Sequence, residues 1–212
     1  MARLSQHDIL QGPPPPPAEW GSGGGGEPDG RGANRRASFA GLFVLLVATA
    51  MVFAALTVAF AARRNSGDDW TGVPKPPILY ANSVVLLASS VVLDQSRRAL
   101  KARNRTRFNL WWTAATVLGL LFLAGQGLAW RELANAGVYA GSNPASAFFY
   151  MLTAAHALHL LGGVGALIYV DVQAWRFRLG PAKRTAIDVT AVFWHFLDGL
   201  WLYLMALFYL WG

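Results

Sequence analysis

Four ionisable residues lie inside long apolar stretches of the sequence, where a charged group is expensive. His156 and His159 lie in one stretch, and His195 and Asp198 lie in the next. Inserting such a group into a membrane costs roughly 2.5–3.5 kcal/mol on insertion scales, so each one needs a structural or functional reason. Both pairs are spaced i, i+3, which in a helix places two polar groups on one face. The sequence therefore indicates two polar faces in an apolar environment.

The two pairs are predicted to lie at matching depths. Counted from the same side of the membrane, His159 lies about 11 residues and His195 about 9 residues from the helix end. With a rise of about 1.5 Å per residue, the pairs are level to within roughly 3 Å. We predict an antiparallel polar ladder, in which His159 is level with His195 and His156 is level with Asp198.

Three kinds of chemistry suit such a ladder. Hydrogen bonds among the four groups, or to nearby hydroxyls, would fix the register of the helices. His159 and His195 could instead be the two axial ligands of a haem, or the groups could form a proton relay or a transport site. A zinc or binuclear site is not expected, because the only other histidine, His7, lies in a polar tail and no glutamate lies within a predicted span.

The elements that must position these residues are five apolar segments. Hydrophobic residues make up 54% of the 212-residue chain and charged residues only 14%, against about 25% charged in soluble domains. Each segment is close to or above the length that crosses a hydrocarbon core of about 30 Å, and lipid offers the backbone no partners, so the segments must be helices. The sequence predicts an all-α integral membrane protein, a bundle of five transmembrane helices at residues 38–62, 77–93, 108–130, 145–170 and 186–210.

The first 37 residues differ in composition from the rest. Five consecutive prolines, residues 13–17, and a glycine run, residues 23–26, leave too little apolar surface to offset chain entropy. We predict a disordered cytoplasmic tail at residues 1–37 and a membrane domain at residues 38–212. The chain has no cysteine, which excludes disulfides, thiolate metal sites and cysteine nucleophiles.

Lysine and arginine are distributed unevenly about the predicted helices. Fourteen lie in the tail and in the loops that follow the second and fourth helices, and four lie on the other side. By the positive-inside rule the N-terminus is cytoplasmic and the C-terminus faces outward. A net charge of +7 is also typical of proteins that bind nucleic acid. Here, however, the basic residues flank apolar blocks as membrane topology requires, so no nucleic-acid partner is expected.

Few other polar residues lie within the predicted helices. Gln126 and Asn82 are candidates for interhelical polar contacts, and Ser83 and Ser90 lie seven residues apart on one face of the second helix. The sequence contains no phosphate-binding glycine loop, nucleophile elbow or metalloprotease helix. The residues alone indicate a helical membrane subunit without a catalytic site of its own.

The two histidine-bearing motifs resemble those of a known family. Residues 193–198 (FWHFLD) and residues 156–163 (HALHLLGG) are similar to the last two helices of subunit III of the haem–copper oxidases, and weaker similarity extends back to about residue 38. This resemblance implies the short, five-helix bacterial form of cytochrome c oxidase subunit 3. It also implies a bacterial inner-membrane location and a role for the four polar residues in packing and register.

The resemblance implies an accessory role in aerobic electron transport. Subunit III holds no haem or copper, which lie in partner subunits. It packs beside the catalytic subunit I in a complex that also contains subunit II, binds phospholipid, and supports proton uptake in a proton-pumping oxidase. No catalytic, cofactor-binding or metal-binding residue is therefore expected in this chain.

Two positions depart from the family pattern. Thr49 and Ala129 stand where many members have glutamates, so a role of those acids in proton uptake or lipid anchoring does not carry over. Two related functions remain open: subunit III of a quinol oxidase and an accessory subunit of nitric oxide reductase. A haem b-binding membrane cytochrome and a transporter are alternatives from a different class.

Overall fold

The protein consists of five long helices. A computed structural model describes residues 30–66, 70, 72–74, 76–176 and 183–211. The helices are α1 (Gly30–Asn65), α2 (Pro77–Lys101), α3 (Arg105–Asn135), α4 (Pro144–Trp175) and α5 (Lys183–Trp211). All five are long and apolar enough to cross a membrane, and the described residues contain no strand. The predicted all-α fold with five transmembrane helices is confirmed.

The helices extend beyond their apolar stretches. α1 begins at Gly30 rather than at residue 38, so residues 30–37 are helical and not part of a disordered tail. Residues 1–29 of that predicted tail lie outside the described residues. α2 continues past the predicted end at Leu93 to Lys101. Hydropathy marks only the hydrocarbon-facing part of a helix, and backbone hydrogen bonding continues through polar residues such as Arg and Lys, which are good helix formers.

Polar residues at the helix ends define the connections. Asn104 caps α3, its side chain accepting from the backbone N–H of Arg107, and Asn143 forms a capping box with Ser146 at the start of α4. Only Ala102, Arg103 and Asn104 connect α2 to α3. Such a short connection makes α2 and α3 antiparallel neighbours.

The helices form a closed four-helix bundle with one outlying helix. α2, α3, α4 and α5 pack in sequence, α2 also contacts α5, and α1 packs against α4 and α5. Large apolar side chains on α1, including Phe43, Met51 and Val58, are exposed. We call the end of the bundle where α1, α3 and α5 begin the basic end. Most of the lysine and arginine residues lie there.

Trp194 of α5 fills the centre of the bundle. Its indole is fully buried, and Nε1–H donates to Ser89 Oγ on α2 at 2.7 Å. Glycines on the other two helices make room for the ring. A Cβ atom at Gly119 of α3 would lie 2.6 Å from Trp194 Cη2, and one at Gly163 of α4 would lie 3.2 Å from Trp194 Cε3. The indole therefore contacts all three of the other bundle helices and fixes the position of α5 against them.

We expect Gly119→Ala to lower the stability of the bundle by about 1–3 kcal/mol, because the added methyl group overpacks the fully enclosed Trp194 ring. Gly127→Ala on the same helix is the matched control, since nothing lies within 4 Å of its Cβ position. Thermal unfolding of the detergent-solubilised chain measures both. Equal midpoints for the two variants would contradict the packing argument.

Candidate functional site

A row of polar side chains follows the groove between α2 and α5. On α2 the residues are spaced by about one helical turn, and on α5 they follow in the opposite order because the two helices are antiparallel. We call this set the α2–α5 polar line. It consists of Ser90, Asp94 and Arg97 on α2 and Asp188, His195 and Asp198 on α5.

The inner part of the polar line joins two ionisable groups of α5 through one serine. Ser90 donates its hydroxyl hydrogen to Asp198 Oδ2, and its oxygen lies 2.8 Å from His195 Nδ1. On the other side of the imidazole ring, Nε2 lies 3.4 Å from Asp94 Oδ1. Asp94, His195, Ser90 and Asp198 are therefore linked in one continuous series.

Arg97 extends the polar line to the basic end. Its Nη1 lies 3.7 Å from Asp94 Oδ1, and its Nη2 lies 3.5 Å from Asp188 Oδ1. Asp198, at the inner end of the polar line, is 5% exposed, whereas the side chain of Asp94 is 49% exposed. The polar line therefore runs from the interior of the bundle to its exposed surface near the basic end.

The contact between His195 and Asp94 has the groups that could bind a proton. Because Ser90 donates its one hydrogen to Asp198, its oxygen accepts from the Nδ1–H of His195. In a neutral imidazole with this hydrogen on Nδ1, Nε2 is an acceptor, and it faces an acceptor oxygen of Asp94 at 3.4 Å. A proton on either of these two atoms would allow a hydrogen bond between them. This arrangement can hold a proton and exchange it along the series.

The two histidines of α4 lie elsewhere and have different surroundings. His156 is fully buried between Trp201 of α5, with ring centroids 5.2 Å apart, and Phe122 of α3 at 6.2 Å. Neither of its ring nitrogens has a hydrogen-bond partner within the described part of the chain. His159 lies edge-on to Phe53 of α1, and its Nδ1 is 2.7 Å from the Ala155 carbonyl oxygen of its own helix.

These positions correct the predicted antiparallel ladder. His195 and Asp198 contact Ser90 of α2, whereas His159 contacts α1 and His156 lies against aromatic rings of α3 and α5. Equal depth along two helices does not fix the rotation of either helix about its axis. Here α5 turns its i, i+3 pair towards α2, whereas in the α4 pair His159 faces α1 and His156 lies between α3 and α5. The role of these residues in helix register remains a proposal.

The two amides singled out in the sequence behave differently. Asn82 Nδ2 donates to the Phe122 carbonyl oxygen at 3.2 Å, which links α2 to α3. Gln126 is buried, but neither end of its amide has a partner among the described residues, so the expected interhelical hydrogen bond is absent there. Thr49 and Ala129, the positions that depart from the family pattern, are both buried.

No metal or haem site is assembled from the described side chains. They contain no group of three or more His, Cys, Asp or Glu residues that could hold a metal ion. His159 contacts α1 and His195 contacts α2, so the two histidines do not face each other as axial ligands of one haem would.

Sequence reasoning missed half of the polar line. Asp94 and Arg97 were overlooked because they follow Leu93, the predicted end of the second helix, and Asp188 lies one turn inside the start of α5. The signal was present in the spacing. Ser90, Asp94 and Arg97 follow an i, i+4, i+7 pattern, and Asp188 precedes His195 by seven residues, so each set shares a helix face.

Comparison with known proteins finds one family along the whole of the predicted membrane domain. Residues 33–212 match the family described as cytochrome c oxidase subunit III. The probable cytochrome c oxidase subunit 3 of Mycobacterium tuberculosis strain H37Rv is 31% identical over 173 residues, covering 80% of this chain and 85% of the relative. The probable cytochrome c oxidase subunit 3 of Nocardia farcinica is 29% identical over 175 residues, covering 80% of this chain and 85% of the relative. The cytochrome c oxidase subunit 3 of Synechocystis is 28% identical over 193 residues, covering 87% of this chain and 80% of the relative.

We expect Ser90→Ala to destabilise the protein by about 1–3 kcal/mol, because it leaves buried Asp198 without its hydrogen-bond donor. Asp198 Oδ1 already lacks a partner among the described residues, so no second bond compensates. Ser38→Ala is the control, since exposed Ser38 bonds only the Asn34 carbonyl oxygen of its own helix. Chemical denaturation in mixed micelles measures both variants, and equal losses would argue against Ser90 as the link between α2 and α5.

Proposed function

The chain belongs to the cytochrome c oxidase subunit III family, and we propose that it is the non-redox subunit III of a proton-pumping respiratory haem–copper oxidase. The family match over residues 33–212 carries this proposal, because it includes four helices completely and nearly all of α1. The relatives are named for cytochrome c oxidase, which favours cytochrome c over quinol as the electron donor of the complex.

Oxygen reduction in this proposal takes place outside the chain. The haem and copper would lie in the catalytic subunit I, with subunit II completing the complex. The surroundings of two histidines support that division of roles. His156 is enclosed by aromatic rings, whereas His195 contacts Ser90 through Nδ1 and Asp94 through Nε2. Neither imidazole therefore has an uncontacted nitrogen beside a second side chain that could bind the same metal ion.

The part that this chain plays in proton uptake rests on the polar line. It begins at the basic end, which the positive-inside rule assigns to the cytoplasmic side, the side from which such an oxidase takes up protons. Asp94 is accessible there and contacts His195, which in turn contacts Ser90 deeper in the bundle. An accessible carboxylate joined to an imidazole can collect a proton from water and hold it close to the membrane surface.

The remaining polar residues have a structural role in this proposal. His156 packs against Trp201, whose Nε1–H donates to Ser83 of α2 at 2.9 Å. His159 packs against Phe53 and so contributes to the position of α1. These contacts support a role in fixing how each helix is rotated and how deep it lies.

Purification of the affinity-tagged chain from its host in a mild detergent tests the assignment. We expect a partner with haem absorbance to co-purify and the complex to consume oxygen with reduced cytochrome c. The chain expressed alone should show no Soret band. A stable chain recovered without a haem-bearing partner would contradict the subunit assignment, and a Soret band in the chain alone would indicate a membrane cytochrome.

We expect Asp94→Asn to slow proton uptake by the assembled oxidase several-fold, because an amide cannot carry a proton to His195. Asp171→Asn is the matched control: Asp171 also lies towards the basic end, where it accepts from Thr113 on α3, away from the polar line. A pH-sensitive dye outside oxidase vesicles records uptake after a pulse of oxygen. The same rate for both variants would exclude Asp94 from uptake while leaving the subunit assignment intact.

A further inference from the structure

A pocket opens between the C-terminal end of α2 and the start of α5, at the outer end of the polar line. Its volume is about 180 Å³. α2 and α5 each contribute three of its lining residues: Arg97, Leu100, Lys101, Arg184, Ile187 and Asp188. The pocket lies where charged residues follow the apolar part of α2 and precede that of α5. It therefore combines an apolar wall with a cationic rim at the level of the membrane surface.

Among the described residues that line the pocket, positive charge exceeds negative charge. Three of these side chains are basic and one, that of Asp188, is a carboxylate, which contacts Arg97. Lys101 and Arg184 make no hydrogen bond or ion pair to any described residue. The Nε of Arg97 is buried and likewise has no acceptor among the described residues. Guanidinium and ammonium groups placed this way suit the oxygens of a phosphate group.

The surroundings of the pocket favour a lipid phosphate over a free one. Ile187 is buried and Leu100 is half-buried, so part of the wall is apolar. Val192 lies one turn further along α5 from Asp188, on the same helix face, and is exposed on the membrane side of the pocket. An acyl chain can follow that surface while its phosphate stays at the rim. Inorganic phosphate gains nothing from these apolar residues.

We propose that the pocket between α2 and α5 binds the phosphate of an anionic phospholipid, with Lys101, Arg184 and Arg97 as its ligands. A glycerol headgroup fits this charge balance better than choline or ethanolamine, whose own cation would face the unpaired ammonium and guanidinium groups. The site goes beyond the proposed function, because it assigns a lipid phosphate to named residues, and it lies within the bundle, between neighbouring helices. It depends on membrane insertion and not on oxidase activity.

The test counts lipids bound to the full-length chain by native mass spectrometry. Delipidated protein is titrated with phosphatidylglycerol or with phosphatidylcholine of the same acyl chains. The double variant Lys101→Gln/Arg184→Gln removes the two cations that have no partner among the described residues. The control Arg103→Gln/Arg107→Gln removes two exposed cations from the same end of the bundle but outside the pocket.

We expect the wild type and the control to bind one phosphatidylglycerol in preference to phosphatidylcholine. The apparent dissociation constant of the pocket variant should rise roughly tenfold to thirtyfold, as the loss of two basic contacts near an anionic headgroup predicts. An equal loss in the control would overturn the proposal, because the charge of the whole surface would then explain binding. Equal binding of both lipids would also overturn it.

A separate arm adds inorganic phosphate at millimolar concentration to the lipid-loaded protein. Retention of phosphatidylglycerol supports a lipid site, whereas displacement by phosphate alone would overturn the lipid assignment in favour of a free-anion site. Lipid counts do not depend on which proteins co-purify with the chain. A failure of the oxidase assignment and a failure of this site are therefore observed separately.

Discussion

The contact between α2 and α5 is the one on which the rest of the bundle depends. Lipid provides no hydrophobic force that drives one transmembrane helix onto another, so association relies on close packing and interhelical hydrogen bonds. A row of serines on α2 supplies the bonds: Ser83 and Ser89 accept from two tryptophans of α5, and Ser90 donates to Asp198. These contacts close the four-helix ring and hold α5 between α1, α2 and α4.

The same closure that stabilises the bundle also produces its chemistry. A carboxyl group in an apolar span is tolerated only where a partner supplies a hydrogen bond, and Ser90 is that partner for Asp198. Once Ser90 donates inward, its oxygen accepts from Nδ1 of His195, and Nε2 of the same ring faces Asp94. The structural requirement of one buried group thus orders the polar line as far as the surface. The side chains that join α2 to α5 are therefore the same ones that the proposed proton uptake would use.

Hydropathy was sufficient to predict the number, order and antiparallel arrangement of the helices, because each span must satisfy its own backbone in lipid. It was not sufficient to predict the site. The prediction placed His195 and His159 at one depth, but depth leaves helix rotation free, and rotation is set by side chains such as Trp194, which needs the space above Gly119 and Gly163. The prediction also ended the second helix too early and so excluded Asp94, because charged residues lower the hydropathy of a segment that is still helical.

The two sides of α5 impose different requirements on whatever surrounds the protein. Outlying α1 exposes apolar side chains such as Phe43 and Met51, which lipid tails or an apolar partner surface can cover without loss. The groove at α2 exposes part of Asp94 and His195 within the span, and hydrocarbon cannot solvate these groups. Water, a headgroup or protein must therefore lie against the groove at the basic end. The orientation of the protein against its surroundings is thereby constrained, because its charged groove has to meet a polar neighbour.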